Sequence, residues 1–201
     1  LVGEYSLGLA YADSSINVSV FREQSVLRLS DGSHVAAYYD QHGDVRIDHI
    51  KKSGLVEVGA RISPRLSAAL LADGHCGVSL GRSADGQLHV IYGAHATQPY
   101  YVSFPEQLLL DGVGPADIPA TPWPRAITYP QFYLENGALT LWYRADPESA
   151  IQHMVYSDLA GTFEPADLPT FFLEDATGVY AYVNQLAIRG PKIALSWLYR
   201  L

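Results

Sequence analysis

Apolar and polar positions alternate along this chain in short runs, and most runs begin at a turn. Asp31-Gly32-Ser33-His34-Val35-Ala36-Ala37-Tyr38-Tyr39 is a turn followed by a β-rich stretch. Asp85-Gly86-Gln87-Leu88-His89-Val90-Ile91-Tyr92 and Asn136-Gly137-Ala138-Leu139-Thr140-Leu141-Trp142-Tyr143-Arg144 repeat the phrase. A fourth copy, Gly190-Pro191-Lys192-Ile193-Ala194-Leu195-Ser196-Trp197, lacks the Asn/Asp-Gly pair. That pair ahead of alternating apolar residues is a strong hairpin signal. Aligning Tyr39, Tyr92, Tyr143 and Leu198 gives spacings of 53, 51 and 55 residues. Each copy is followed by a second β-rich segment: Val45 to Ile50, Tyr100 to Phe104, His153 to Tyr156. Antiparallel pairs recurring at such a period signal sheet repeats of the propeller kind. Long helical periodicity is absent; Ser67 to Ala72 reads as one short helical turn.

The predicted fold is therefore all-β: one partial β-propeller domain over 1–201, with repeats near 31–50, 85–104, 136–156 and 190–201. About four repeats fit, and propellers close with roughly 4–8 blades. The incomplete fourth copy favours a larger ring cut after its first half over a closed four-bladed one. Leu1-Val2-Gly3 is neither an initiator methionine nor a charged leader, and Ser196 to Leu201 reads as mid-strand. A removed leader, or a start and end within a longer protein, is expected.

Composition supports this picture. The 201 residues are 48% hydrophobic and 17% charged, too apolar for disorder. The 14 Tyr, 6 Phe and 3 Trp suit strands, and 17 Gly and 12 Pro suit turns. A net charge of −8, with no basic run longer than Lys51-Lys52, argues against nucleic acid. A locally basic pocket for an anionic substrate stays compatible with it. No apolar run reaches the roughly 18 residues of a membrane helix. Cys76 is the single cysteine, so no intrachain disulfide is available.

Seven histidines carry the first candidates for chemistry. His34 and His89 read as equivalent strand positions just after the turn, and therefore as structural. His42, His49 and His153 lie among polar residues and are expected at the surface. His75, in Asp73-Gly74-His75-Cys76-Gly77, sits in a glycine-flanked loop ahead of a strand; His95, in Gly93-Ala94-His95-Ala96-Thr97, follows the next strand. The two bracket one hairpin, so both are placed to project from the same rim. Imidazoles exchange protons near neutral pH, which suits acid/base work. Two hydrogen-bonded loop histidines are the alternative reading, and spacing does not choose. A zinc site from His75, Cys76, His89 and His95 matches no ligand spacing.

Tyr129, in Thr128-Tyr129-Pro130-Gln131-Phe132, precedes a strand, and Arg144 ends the next one. A phenol beside a guanidinium is biased toward phenolate, and Arg binds carboxylates bidentately. The competing reading is a core tyrosine and a rim arginine paired with Asp146 or Glu148. No nucleophile elbow, P-loop or dinucleotide fingerprint occurs. Ser83-Ala84-Asp85-Gly86-Gln87 only partly echoes the Asp-box of sialidases.

The ordered set Asp73-Gly74-His75, Ser79-Leu80-Gly81, Asp85-Gly86-x-Leu88-His89-Val90, His95, Tyr100-Tyr101, Thr128-Tyr129-Pro130-x-Phe132, Tyr143-Arg144 and Trp197-x-x-Arg200 resembles the BNR-repeat-like proteins, which include the propeller-type ulvan lyases. The resemblance runs from about Tyr38 to Arg200. Cys76 departs from the Asn found there in some members, and many relatives have no known activity. The resemblance implies a seven-bladed propeller and β-elimination on a uronate-containing acidic polysaccharide. It implies that Arg144 neutralises the uronate carboxylate. One of His75 and His95 takes the C5 proton, and Tyr129 or the other histidine protonates the leaving oxygen. Tyr100, Tyr101, Trp197 and Arg200 are then substrate-binding. No cofactor is needed for this chemistry, and a structural calcium is not readable in the sequence. The expected protein is a monomer that meets its polymer outside the cytoplasm, secreted or periplasmic, with no nucleic-acid or membrane partner.

Two other classes compete. A non-catalytic glycan-binding propeller would stack sugars on exposed Tyr100, Tyr101 and Trp123. A glycoside hydrolase needs carboxylates paired across a cleft; Asp40, Asp44 and Asp48 form no recognisable pair.

Overall fold

The computed structural model describes residues 13, 16, 25–112, 116–135, 137–145, 150–166, 171–172, 180–189 and 192–200, and after residue 166 it is the backbone that is described. Among the described residues the alternating runs become strands arranged in four sheets. The first sheet orders β1 (Val26–Arg28), β2 (His34–Tyr39), β3 (Val45–Ile50) and β4 (Val56–Ser63) as an antiparallel meander. The second holds β5 (Val78–Arg82), β6 (Gln87–Tyr92) and β7 (Tyr100–Pro105). Two short strands close these sheets at their outer edges. β8 (Ala116–Pro119) runs parallel to β4, and β9 (Thr121–Pro122) then pairs with β7. The third sheet comprises β10 (Ile127–Glu135), β11 (Ala138–Ala145), β12 (Ala150–Ser157) and β13 (Thr162–Pro165), with β14 (Phe171–Phe172) also on β12. A last hairpin joins β15 (Tyr180–Arg189) to β16 (Lys192–Arg200).

The repeated phrase therefore marks the second strand of each of the first three sheets. Its turns share one device: Gly32 and Gly86 sit at φ 90° and 82°, and their N–H groups return to Leu29 and Ser83. Only glycine adopts that left-handed conformation without strain. Asn136 and Gly190-Pro191, the corresponding positions of the later copies, lie outside the described residues. The expected helical turn is α1 (Ala68–Leu71), whose first turn the Ser67 hydroxyl caps through the Leu70 N–H at 3.4 Å. A second one-turn helix, α2 (Gln107–Leu110), follows β7. No helix among the described residues is long and apolar enough to cross a membrane.

β6 is buried on both faces, and this organises the core. Leu88, Val90 and Tyr92 pack toward the first sheet, among Val35, Ala37, Tyr39, Ile47 and Ile62. Ile91, one step out of phase, packs toward the third sheet with Ile127, Phe132, Leu141 and Tyr143. Successive residues of a strand face opposite ways, so one six-residue element serves two interfaces.

Several histidine expectations need correction. With Tyr39 and Tyr92 in register, His34 aligns with Gln87 rather than His89, and His34 is exposed while His89 is fully buried. His49 and His153 are buried rather than at the surface; only His42 of that group is exposed. Polar neighbours in the sequence do not report the buried side of a strand when alternate residues face opposite ways.

Candidate active site

His75 and His95 lie at the same end of the second sheet, as the loop spacing predicts. His75 precedes β5 in a turn where the Cys76 N–H donates to the Asp73 carbonyl. The Tyr39 hydroxyl donates to the Cys76 carbonyl at 2.7 Å and ties this turn to the first sheet. The His95 loop follows β6. Its first residue, Gly93, has φ 77°, and a Cβ there would stand 2.8 Å from Leu66. The Thr97 hydroxyl closes the loop by donating to the Gly93 carbonyl at 2.6 Å. The Ala96 N–H donates to the Thr128 hydroxyl at 2.7 Å, which fastens the loop to the third sheet.

Tyr129 reaches the same place by a local irregularity. β10 and β11 pair regularly except between Thr128 and Gln131, where the register breaks around Tyr129-Pro130. Pro130 has no N–H for the ladder, and Tyr129 adopts φ 55°, a costly conformation for a large side chain. Such bulges re-aim side chains beside functional sites. Arg144, paired with Thr128 across the ladder, comes from the end of β11.

The four side chains converge. The rings of His75 and His95 stack with centroids 4.4 Å apart and planes 28° apart. Tyr129 lies 6.0 Å from His75 and 5.9 Å from His95. The Arg144 guanidinium carbon stands 5.4 Å from the Tyr129 ring centroid, a cation–π arrangement with the ring face. The histidines are half-exposed at the rim, while Tyr129 and Arg144 are 4% and 6% exposed and form the floor. Asp146 and Glu148, the alternative partners for Arg144, lie outside the described residues.

One member of the cluster escaped the sequence reading. Asp73 Oδ1 lies 2.7 Å from His75 Nδ1, and its Oδ2 lies 2.5 Å from His95 Nδ1. Burial alone would raise the Asp73 pKa. The hydrogen bonds from His95 and His75 outweigh it and hold the carboxyl below its ordinary value. An ionised carboxylate only accepts, so each Nδ1 carries the proton and donates. The signal was present in Asp73-x-His75, since an Asp side chain readily binds the N–H two residues on; here that bond is 3.0 Å. Asp73, His75 and His95 are also the one described group of three ligating residues whose donor atoms lie within 4.8 Å of one another. One carboxylate oxygen per imidazole, at N–H···O separations, is the pattern of two hydrogen bonds.

Of the remaining candidates, those whose side chains are described make other contacts. Tyr101 is half-buried in the seam between the second and third sheets. It contacts Trp123 and Phe163, and its hydroxyl meets His89 Nδ1 at 2.8 Å. Tyr100 stacks on Tyr92. Trp123 is buried, not exposed, because the outer end of the third sheet covers it. Trp197 and Arg200 fall on β16, where only backbone is described. The three aspartates considered for hydrolysis are engaged separately. Asp40 accepts from the His42 and Asp44 N–H groups, Asp44 lies 3.6 Å from Arg61, and Asp48 accepts from the Tyr38 hydroxyl.

Stacked antiparallel sheets with a polar cluster at one end define a class: an all-β sheet-repeat protein with its candidate site at one end of its sheets. Its fold is similar to that of the polysaccharide lyase Uly1, with a TM-score of 0.60 at 11% identity over 91% of this chain and 49% of that one. It is also similar to that of a PL25 ulvan lyase solved bound to -[GlcA(1-4)Rha3S]-, with a TM-score of 0.58 at 15% identity over 97% of this chain and 48% of that one. The chain thus spans about half the length of the solved proteins it matches. No curated protein matches it. The sequence profile described as BNR repeat-containing family member matches residues 34–201, and the chain belongs to that family.

Proposed function

We propose that this chain is the site-bearing part of a polysaccharide lyase that cleaves a uronate-containing, ulvan-like acidic polysaccharide by β-elimination. In this reading the stacked sheets are about four blades of a seven-bladed propeller, and the protein works as a secreted or periplasmic monomer. The carrying observation is the convergence of His75, His95, Tyr129 and Arg144 on one end of neighbouring sheets.

Elimination needs three things at the uronate, and the cluster contains a group for each. The C5 proton is acidic only if the charge spreading onto the carboxylate is countered; the Arg144 guanidinium supplies that positive charge without a metal. A base must take the proton, and one of His75 and His95 fills that role. As the C4–O bond breaks and the C4=C5 double bond forms, the leaving oxygen takes a proton from Tyr129 or the other histidine. The electron pair of the C5–H bond becomes the double bond and that of C4–O stays with oxygen, so the products are an unsaturated uronate and a new hydroxyl end. The polymer-binding role of Tyr100, Tyr101, Trp197 and Arg200 belongs to the same reading.

The test is ultraviolet absorbance of the unsaturated product, with the full-length protein on a panel of acidic polysaccharides that includes ulvan. A rise is expected that His75→Ala and Arg144→Ala each reduce by at least about 100-fold. Binding without any rise would replace the lyase with a glycan-binding module.

A further inference from the structure

We propose that Asp73 is a positioning residue for both histidines: its single carboxylate fixes each imidazole with Nδ1 as the N–H and leaves each Nε2 as the nitrogen offered to substrate. The inference rests on the lyase reading above for its catalytic consequence, though not for its structural content. Each carboxylate oxygen serves a different ring, Oδ1 for His75 at 2.7 Å and Oδ2 for His95 at 2.5 Å. Asp73 is itself held. Its N–H donates to the Leu70 carbonyl, its carbonyl accepts from Cys76, and Oδ1 takes the His75 N–H as well.

The consequence follows from imidazole geometry. The two ring nitrogens diverge, so a ring that turns Nδ1 toward Asp73 turns Nε2 away from it. With Nδ1 protonated, a neutral ring presents a basic lone pair at Nε2, and a cationic ring presents an acidic N–H there. The same carboxylate thus prepares one histidine as base and its neighbour as acid. The rings are stacked with their planes 28° apart, and both turn Nδ1 to the same carboxylate. A tautomer error in the ring that acts as base would put a hydrogen where a lone pair is needed.

Nitrogen–proton correlation spectra of the two imidazoles test this, with signals assigned through His75→Gln and His95→Gln. In the unaltered protein both rings are expected as Nδ1–H forms. In Asp73→Asn the amide offers one acceptor and one donor, so one ring is expected to switch to the Nε2–H form. On the cleaved polymer, kcat should fall about 100-fold, while KM stays within about twofold. Rings that keep Nδ1–H in Asp73→Asn, or a lowered Tm with kcat intact, would make Asp73 a loop staple and overturn the proposal. A stoichiometric divalent ion in the purified protein, with both Nδ1–H signals missing, would overturn it in favour of a metal site. Should Asp73→Asn not fold, the unaltered protein decides, because either ring found as the neutral Nε2–H tautomer, with Nδ1 unprotonated, refutes the assignment. If no polymer is cleaved, the spectra still judge Asp73, and only the lyase reading fails.

Discussion

At the scale of single residues, the histidine with the most perturbed proton affinity is not in the candidate site. His89 is fully buried between the second and third sheets, against Tyr156, Phe163 and Phe132. The Ser83 hydroxyl donates to Asp85, so its lone pair accepts from His89 Nε2, and the Tyr101 hydroxyl is left to donate to Nδ1. Both nitrogens are satisfied only in the neutral ring. Burial depresses the pKa from 6.5 to about 4. The unfolded chain takes up this proton from about 6.5, whereas the folded one resists down to about 4. The stabilisation is therefore complete above the unfolded value and is lost as pH falls through that window. We expect up to about 3 kcal/mol of unfolding free energy to disappear between those limits. Urea unfolding across that range measures it, and His89→Gln should flatten this part of the profile. An unchanged slope in His89→Gln would show that another group titrates there. Ser33 and His49 form a comparable pair at 2.8 Å in the first sheet. The sequence made His89 legible as structural but not His49, because a histidine amid charged neighbours gives no sign of which strand face is covered.

At the scale of elements, close approach between sheets places severe demands on β5. A Cβ on Gly81 would stand 2.7 Å from Cγ and 2.9 Å from Cβ of Phe132 on β10. Those contacts are shorter than any packed methyl tolerates, and both atoms sit near the root of a ring that cannot swing aside. Gly81→Ala should cost about 1–3 kcal/mol, read as a lowered urea midpoint at unchanged slope. Phe132→Ala in the same chain removes the clashing Cγ, so the two changes together should cost less than the sum of the two alone. If Gly81→Ala leaves the midpoint in place, the second and third sheets are not tightly seated at Gly81. The long strands were legible because period-two alternation and Asp-Gly turns mark them directly. β8 and β9 were not: strands of four and two residues containing Pro119 and Pro122 carry no period. The Tyr129 bulge was not legible: a proline biases the residue before it toward extended backbone, whereas Tyr129 adopts φ 55° at the register break beside it.

At the scale of the whole molecule, the candidate site depends on the sheets acting together. His75 and His95 hang from the second sheet, Tyr129 and Arg144 come from the third, and Tyr39 anchors the His75 turn to the first. Glu106 adds a second tie between the first two sheets. It pairs with Arg82 through both oxygens, at 2.6 and 2.9 Å, and accepts from the Ser30 N–H at 3.3 Å. Because β6 contributes to both apolar interfaces, loosening it on one face should be felt on the other. Val90→Ala removes apolar contact only on the side of the first sheet, at a cost of roughly 2–4 kcal/mol. If the three sheets open as one unit, the slowest-exchanging amides of β11 should lose protection to the same extent as those of β2, although Val90 faces away from β11. Residue-resolved hydrogen exchange makes the comparison. Equal losses would mean that site geometry is stabilised by the whole stack. A loss confined to β2 would mean that the second and third sheets form a separate unit, and that the four clustered side chains owe their arrangement to that pair of sheets alone.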